Sequence, residues 1–408
     1  MKDKVVVTGI NIISSLGLDM DQNWEKLIQG QSGISKISLF DASGHDTQIA
    51  GEVPVEFEEY STRYIKKRLS KQMTRISRMC LAGVKALIEK EDVPTEDFDK
   101  ERCAVILGVV HTANSSVEKG TTVKNTVLKG MNNALSAWVS LEYGFEGPNY
   151  TIATACASSA YAIAQGYELI ARNKADFVIV GGADSTINPE EIAGFNALYA
   201  LSVQNDAPEK ASCPFSADRD GFVIGEGAGV LLLERESFAK KRGAKIYAEL
   251  SGYALTSEAF NIMSPKTDGE GMAKTMQKAV ESAGINKEDV GYINAHGTST
   301  TLNDSCETSA IKKVFEGHAN SLVVNSSKSM LGHTIGAAGA IEAAITVKSL
   351  IEQKVHPTIN LTNPDPELDL DYVKEGAREI KLKCALSNSF AFGGHNSSLV
   401  FSKYQIID

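Results

Sequence analysis

Thr151-Ile152-Ala153-Thr154-Ala155-Cys156-Ala157-Ser158-Ser159-Ala160-Tyr161-Ala162-Ile163-Ala164 reads as a short strand breaking into a helix built from small residues. This reading puts Cys156 at the first turn of a buried helix. Unpaired N–H groups and the positive end of the macrodipole there favour thiolate over thiol, the state a nucleophile needs. One of six cysteines taken alone would be an inert buried hydrophobe. Two later segments change that balance. Asn294-Ala295-His296-Gly297-Thr298-Ser299-Thr300 and Lys328-Ser329-Met330-Leu331-Gly332-His333 each set a histidine beside glycine, hydroxyls or lysine. One nucleophile and two imidazoles make a candidate catalytic set.

Around these segments, short apolar strands at Ala104–Leu107, Phe177–Val180 and Gly229–Leu233 alternate with helical stretches at Asn23–Gln29, Arg75–Lys90 and Met272–Ala283. That alternation predicts a layered α/β sheet. Cys156–Ile170 and His333–Leu350 echo each other as small-residue helices that begin at a reactive residue after a strand. Small residues let helices lie close together, which suits a buried central layer.

With 408 residues, 43% of them hydrophobic and 23% charged, the chain is an ordinary globular one with room for a two-lobed core. No apolar run reaches the length of a membrane span. Met1-Lys2-Asp3-Lys4-Val5-Val6-Val7 has no signal-peptide core and enters a strand directly, so a cytoplasmic protein is expected. The cysteines at 80, 103, 156, 213, 306 and 384 form no CxxC pair, which predicts neither zinc cage nor disulfide framework. A net charge of −10 excludes the nucleic-acid binders, whose affinity rests on basic residues. Gly225, Gly227 and Gly229 lack the phosphate-loop spacing and the Lys-Ser/Thr that would follow it, so no nucleotide cofactor is expected. The densest positive cluster is Arg63, Lys66, Lys67, Arg68 and Lys71. It is either a solvated helix face or a local docking patch for an acidic partner that the global field would repel.

The motifs TACASS (154–159), NAHGTST (294–300), KSMLGHTIGAAGA (328–340) and NSFAFGGHN (388–396) stand in an order and at a spacing that carry a family resemblance. The chain resembles the elongating β-ketoacyl-acyl-carrier-protein synthases of the KAS I/II type, the ketosynthases of fatty-acid and type II polyketide assembly, from Val5 to Asn396. The resemblance implies the thiolase fold: two similar halves, residues 1–250 and 251–408, in five layers αβαβα. It implies decarboxylative Claisen condensation of an acyl group on Cys156 with malonyl carrier, and no cofactor beyond the phosphopantetheine that carries the substrates. The implied partners are acyl carrier protein and either a second copy or a chain-length-factor paralogue, with no nucleic acid and no membrane.

Under that resemblance Cys156 takes the acyl chain as a thioester. Loss of CO₂ from the malonyl thioester leaves an enolate, whose oxygen needs donors; neutral His296 and His333 fit that role. The backbone N–H groups of Cys156 and Phe392 would serve the oxyanion at the acyl carbon. Lys328 with Glu342 makes a pair that steadies the histidines, because a buried lysine is costly unless paired. Thr298 and Thr300 match hydroxyls that hold the pantetheine arm. Asp304 and Glu307 match acidic positions of the family, and read equally well as helix N-terminal charges.

Three other readings are weighed against this one. A non-catalytic chain-length factor lacks the nucleophile, a thiolase needs a second reactive cysteine where Asn388-Ser389-Phe390 stands, and a type III synthase pairs Cys with His and Asn. Four departures from the family bear on pathway: a shortened 108–156 segment, Val109-Val110-His111-Thr112-Ala113 in place of a glycine-rich stretch, Ala391 for a glycine in the gating loop, and Asn261 for a histidine. His111 is a candidate for closing the acyl pocket; the alternative is that it faces solvent or a dimer seam. Fatty-acid elongation and polyketide or polyene extension both remain open.

Overall fold

The computed structural model describes residues 3–111 and 123–405. Ten strands make one mixed sheet: β1 (Val5–Ile13), β2 (Cys103–Gly108), β3 (Asn149–Ile152), β4 (Phe177–Ser185), β5 (Glu226–Arg235), β6 (Ala248–Ser257), β7 (Val290–Asn294), β8 (Val323–Asn325), β9 (Cys384–Ala391) and β10 (His395–Ser402). Their order across the sheet is β3-β2-β4-β5-β1-β6-β10-β9-β7-β8. The first five and the last five follow one topology. In each half the first strand of the chain lies innermost, the fifth and fourth are antiparallel beside it, and the second and third are parallel at the outer edge. The halves meet where Val6 and Val7 of β1 pair with Glu249 and Ala248 of β6. This repeated topology shows a duplication that the sequence displays only as an echo between two helices.

Those helices are α2 (Ser158–Ala171) and α5 (Ala338–Glu352), and each follows the third strand of its half. They pack on each other and on strands of both halves, forming the middle layer. Small residues make that approach possible: a Cβ on Gly339 would stand 2.8 Å from the Cβ of Ala160. Outside the first half, α1 (Arg75–Lys90) covers β1, β4 and β5; outside the second, α3 (Glu270–Ala283) covers β6 and β10, and α4 (Thr301–Phe315) packs on α3. Three large apolar clusters fill the gaps, one around α2 and α5 and one under each outer helical layer. These are the five layers of the thiolase fold. β4 and β5 are buried along nearly their whole length, which explains why they read as continuous apolar runs rather than alternating ones.

The predicted strands and helices fall within observed elements, except that Gln29 caps a helix of Met20–Ile28. One expectation is corrected. Neither reactive residue lies in its helix: Cys156 sits in a turn before Ala157, the N-cap of α2, and His333 stands five residues before α5. Residues 112–122 of the shortened segment lie outside the described residues. Among the described residues, no helix is long and apolar enough to cross a membrane.

Candidate active site

The parallel strands β2, β3 and β4 of one half and β7, β8 and β9 of the other deliver the site residues from their carboxyl ends, where ligands bind in α/β sheets. Cys156 follows β3, His296 follows β7, Lys328 follows β8, and Phe390 and Ala391 end β9. A cavity of about 380 Å³ is lined by Cys156, His296, His333, Thr298, Thr300 and Phe392, among others. Val110, Ile335, Phe390, Phe222 and Leu198 give it apolar walls.

The turn holding Cys156 is tight. Ala155 adopts φ +49°, Thr154 N–H donates to Ser158 Oγ (2.9 Å), and Ser158 Oγ donates to the Ala155 carbonyl (2.7 Å). Cys156 is buried, and desolvation pushes its thiol up to about 12, against the opposing pull of Lys328 and of its own backbone N–H. The expectation of a resting thiolate is thereby corrected. The residue lies outside the helix it precedes, and burial outweighs the groups that favour the anion. Burial thus favours the thiol over the thiolate.

His296 is held from two sides. Its backbone N–H donates to Glu307 Oε1 (2.9 Å), and the next one, on Gly297, to Glu307 Oε2 (2.9 Å). Lys328 Nζ lies 3.4 Å from His296 Nδ1 and also donates to Glu342 Oε1. An ammonium has only donors, so Nδ1 must accept, and the neutral ring then carries its proton on Nε2. Desolvation, Lys328 and His333 hold His296 well below the usual imidazole value; desolvation and Lys328 do the same to His333. Both rings are therefore neutral at pH 7. The rings meet edge to face with centroids 5.4 Å apart, and the backbone of His333 is fixed by its main-chain N–H to the Val223 carbonyl (2.7 Å).

Asp304 and Glu307 are fully buried and lie on α4 outside the cavity lining. Asp304 accepts from Phe215 N–H (2.9 Å) and Asn303 Nδ2 (3.1 Å), and Glu307 also from Asn388 Nδ2 (3.2 Å), so both act on neighbouring backbone. Thr298 and Thr300 hydroxyls bond each other at 2.9 Å at the cavity wall. Phe392 opens the turn Phe392-Gly393-Gly394 between β9 and β10. The φ values of +81° and +70° at Gly393 and Gly394 need glycine. Ala391 sits at φ −121°, ordinary extended backbone, so alanine costs nothing there in this conformation. The turn is tied to the facing loop by Gly393 N–H to the Ile262 carbonyl (2.7 Å). In that loop Asn261 accepts from the N–H groups of Met263 and Ser264.

His111 does not close the pocket in this chain. It is exposed, and among the described residues of this segment Val110 is the one that reaches the cavity, because Val109 turns inward to the core and the next position faces the site. In the basic cluster, Lys66, Lys67, Arg68 and Lys71 are exposed, whereas Arg63 is engaged with Glu89 (2.6 Å). The reading from motifs missed Asp184 and the apolar walls. Asp184 stands at the carboxyl end of β4, and that position was the available signal.

A five-layer duplicated fold with a cysteine and two neutral histidines in one cavity, and a buried lysine against one of those histidines, defines an acyl-transferring enzyme of the thiolase superfamily. The chain belongs to the β-ketoacyl synthase family: the N-terminal domain of that family matches residues 2–239 and the C-terminal domain residues 247–362. It is 40% identical to 3-oxoacyl-[acyl-carrier-protein] synthase 2 of Synechocystis over 99% of both chains. With the chloroplastic 3-oxoacyl-[acyl-carrier-protein] synthase II of Arabidopsis thaliana it shares 43% identity, covering 98% of this chain and 76% of that one. Among solved structures, a type II polyketide ketosynthase complexed with its acyl carrier protein superposes with a TM-score of 0.89 at 31% identity, covering 99% of this chain and 100% of that one. The ishigamide ketosynthase/chain length factor gives 0.90 at 29% identity, again over 99% and 100%.

Proposed function

We propose that this chain elongates acyl chains by decarboxylative Claisen condensation, with the nucleophile in the N-terminal half and the decarboxylation residues in the C-terminal half, which opens at β6. Cys156 attacks the acyl thioester of a carrier protein; the acyl group passes to its sulfur and the thiol proton ends on the departing pantetheine thiol. Malonyl carrier then enters with its arm along Thr298 and Thr300. As CO₂ leaves, the enolate oxygen receives the Nε2–H of His296 and an N–H of His333. The enolate carbon attacks the acyl carbon, an oxyanion forms beside the backbone N–H groups of Cys156 and Phe392, and its collapse expels the Cys156 sulfur as a thiolate, which takes a proton from solvent to restore the thiol. Decarboxylation supplies the carbanion, so the step calls for no further cofactor. Asp304 and Glu307 brace the loops around the site, and Glu342 pairs Lys328.

The observation that carries this reading is the contact of Lys328 Nζ with His296 Nδ1, which turns a protonated Nε2 toward the cavity shared with Cys156. Identities near 40% over the full length with 3-oxoacyl-carrier synthases support fatty-acid-type elongation, for which a second copy of this chain is the partner. A second reading, polyketide or polyene extension beside a chain-length-factor paralogue, draws support from the structures that pair a ketosynthase with such a factor. The carrier docks on Lys66, Lys67, Arg68 and Lys71. Intact-protein mass spectrometry after incubation with acyl carrier tests the core of the reading. The wild type gains the acyl mass and Cys156→Ala gains none; a Cys156→Ala protein that still gained it would overturn the assignment.

A further inference from the structure

Asp184 is a fully buried carboxylate beside the site, and the reaction as derived leaves it unused. Its Oδ1 accepts from the N–H of Ser185 (2.9 Å). Its Oδ2 accepts two more, from Val110 (3.1 Å) and Gly336 (3.2 Å). Those two N–H groups belong to segments far apart in the chain. Val110 follows β2 and lines the cavity; Gly336 follows Ile335, which lines it as well and stands two residues beyond His333. Ile335 holds φ +48°, an outlier for a β-branched residue, which persists only where the surroundings impose it. The junction leaves no slack: a Cβ on Gly336 would lie 2.6 Å from Asp184 Oδ2 and 3.0 Å from Val110 N.

We propose that Asp184 is the positioning residue for acyl-chain selection, one oxygen fixing the spacing between the Val110 and Ile335 walls and, through the same loop, the register of His333. The inference rests on the reading of Cys156 as the acyl carrier. A chain long enough to reach that gap displaces Val110 or Ile335, and either movement breaks a bond at the shared oxygen. The cost falls on chain discrimination and on the seating of His333 together. No cation pairs with Asp184 among the described residues; burial pushes its carboxyl up to about 7, and the three N–H groups are what oppose that shift.

Asp184→Asn keeps the shape but offers one acceptor oxygen and two donors, leaving at least one of the three N–H groups without a partner. Gly336→Ala attacks the same contact from the opposite side. Acyl-enzyme formation is measured by mass spectrometry with short and long acyl carriers in competition, normalised to the fraction of Cys156 that loads. The ratio of short to long loading is expected to shift about tenfold in Asp184→Asn. Gly336→Ala should shift it in the same sense, and the double variant by less than the product of the two. A merely structural defect would lower the loaded fraction and leave the ratio in place. In the wild type, amide hydrogen exchange at Gly336 should respond to the length of the chain on Cys156, although that N–H faces Asp184. An unchanged ratio in a folded Asp184→Asn protein, multiplicative effects, or exchange at Gly336 indifferent to acylation would each overturn the proposal. Loading of a Cys156→Ala control would instead remove the reading beneath it.

Discussion

Replacing Lys328 by methionine removes an ammonium that serves two buried partners at once. Lys328 and Glu342 are each about 2% exposed at the side chain, and the lysine also sets the tautomer of His296. Breaking a buried ion pair by deleting one partner costs about 3–5 kcal/mol, because the other charge stays behind in an apolar site. Burial already pushes Glu342 up to about 7 against the pull of Lys328, so the orphaned carboxyl takes up a proton and the loss falls at the lower end of that range. Catalysis suffers by a separate route. With Nδ1 no longer required to accept, His296 spends part of its time with the proton on Nδ1 and no donor toward the enolate. Losing one such donor costs about 10²–10³ in rate. The two effects separate in Lys328→Met/Glu342→Leu, which replaces the pair with apolar side chains and should recover most of the stability. Urea unfolding and CO₂ release from malonyl carrier should therefore disagree: the double variant unfolds near the wild-type midpoint yet stays about 10² or more below it in decarboxylation. Recovery of CO₂ release in the double variant, or near-normal release in Lys328→Met, would refute the tautomer argument.

Glu307→Gln leaves one of the N–H groups of His296 and Gly297 without its acceptor; a stability loss of about 1–3 kcal/mol in urea, with CO₂ release falling more than acyl loading, is expected. Because burial raises the Cys156 thiol, its alkylation by iodoacetamide should accelerate about tenfold per pH unit from pH 7 to 9, following the thiolate fraction; a plateau below pH 8 would show a thiolate at rest. Lys67→Glu with Arg68→Glu should raise KM for acyl carrier severalfold at low salt, with the difference shrinking as ionic strength rises and kcat unchanged. Equal KM values at low salt would place docking elsewhere.

The parts of the site legible in the sequence are those that sit in one local segment each. NAHGTST and KSMLGH carry their histidines just past β7 and β8, and TACASS carries its cysteine just past β3, so local motif and spatial position coincide. Lys328 and Glu342 were legible as a pair from the family resemblance and from the cost of an unpaired buried lysine, and the structure joins them between the end of β8 and α5. What local spacing does not encode is burial and convergence. Cys156 reads as a helix N-terminal thiolate, yet its turn precedes the helix and desolvation dominates. His111 reads as a pocket residue, and a one-residue difference in which side chain turns inward gives that place to Val110. Asp184 had no motif at all: its role appears only when β2, β4 and the His333 loop meet. The duplication is likewise a property of strand order, visible once ten strands are placed.

The central claim is that Cys156 holds the acyl chain while His296 and His333 decarboxylate the malonyl unit, and the most direct test separates those half-reactions in one pair of proteins. In His296→Ala and His333→Ala, CO₂ release from malonyl carrier should fall by about 10² or more, while Cys156 still acquires acyl mass from acyl carrier at a rate closer to the wild type. Normal CO₂ release in both proteins, or loss of acyl loading as deep as the loss of decarboxylation, would contradict the account.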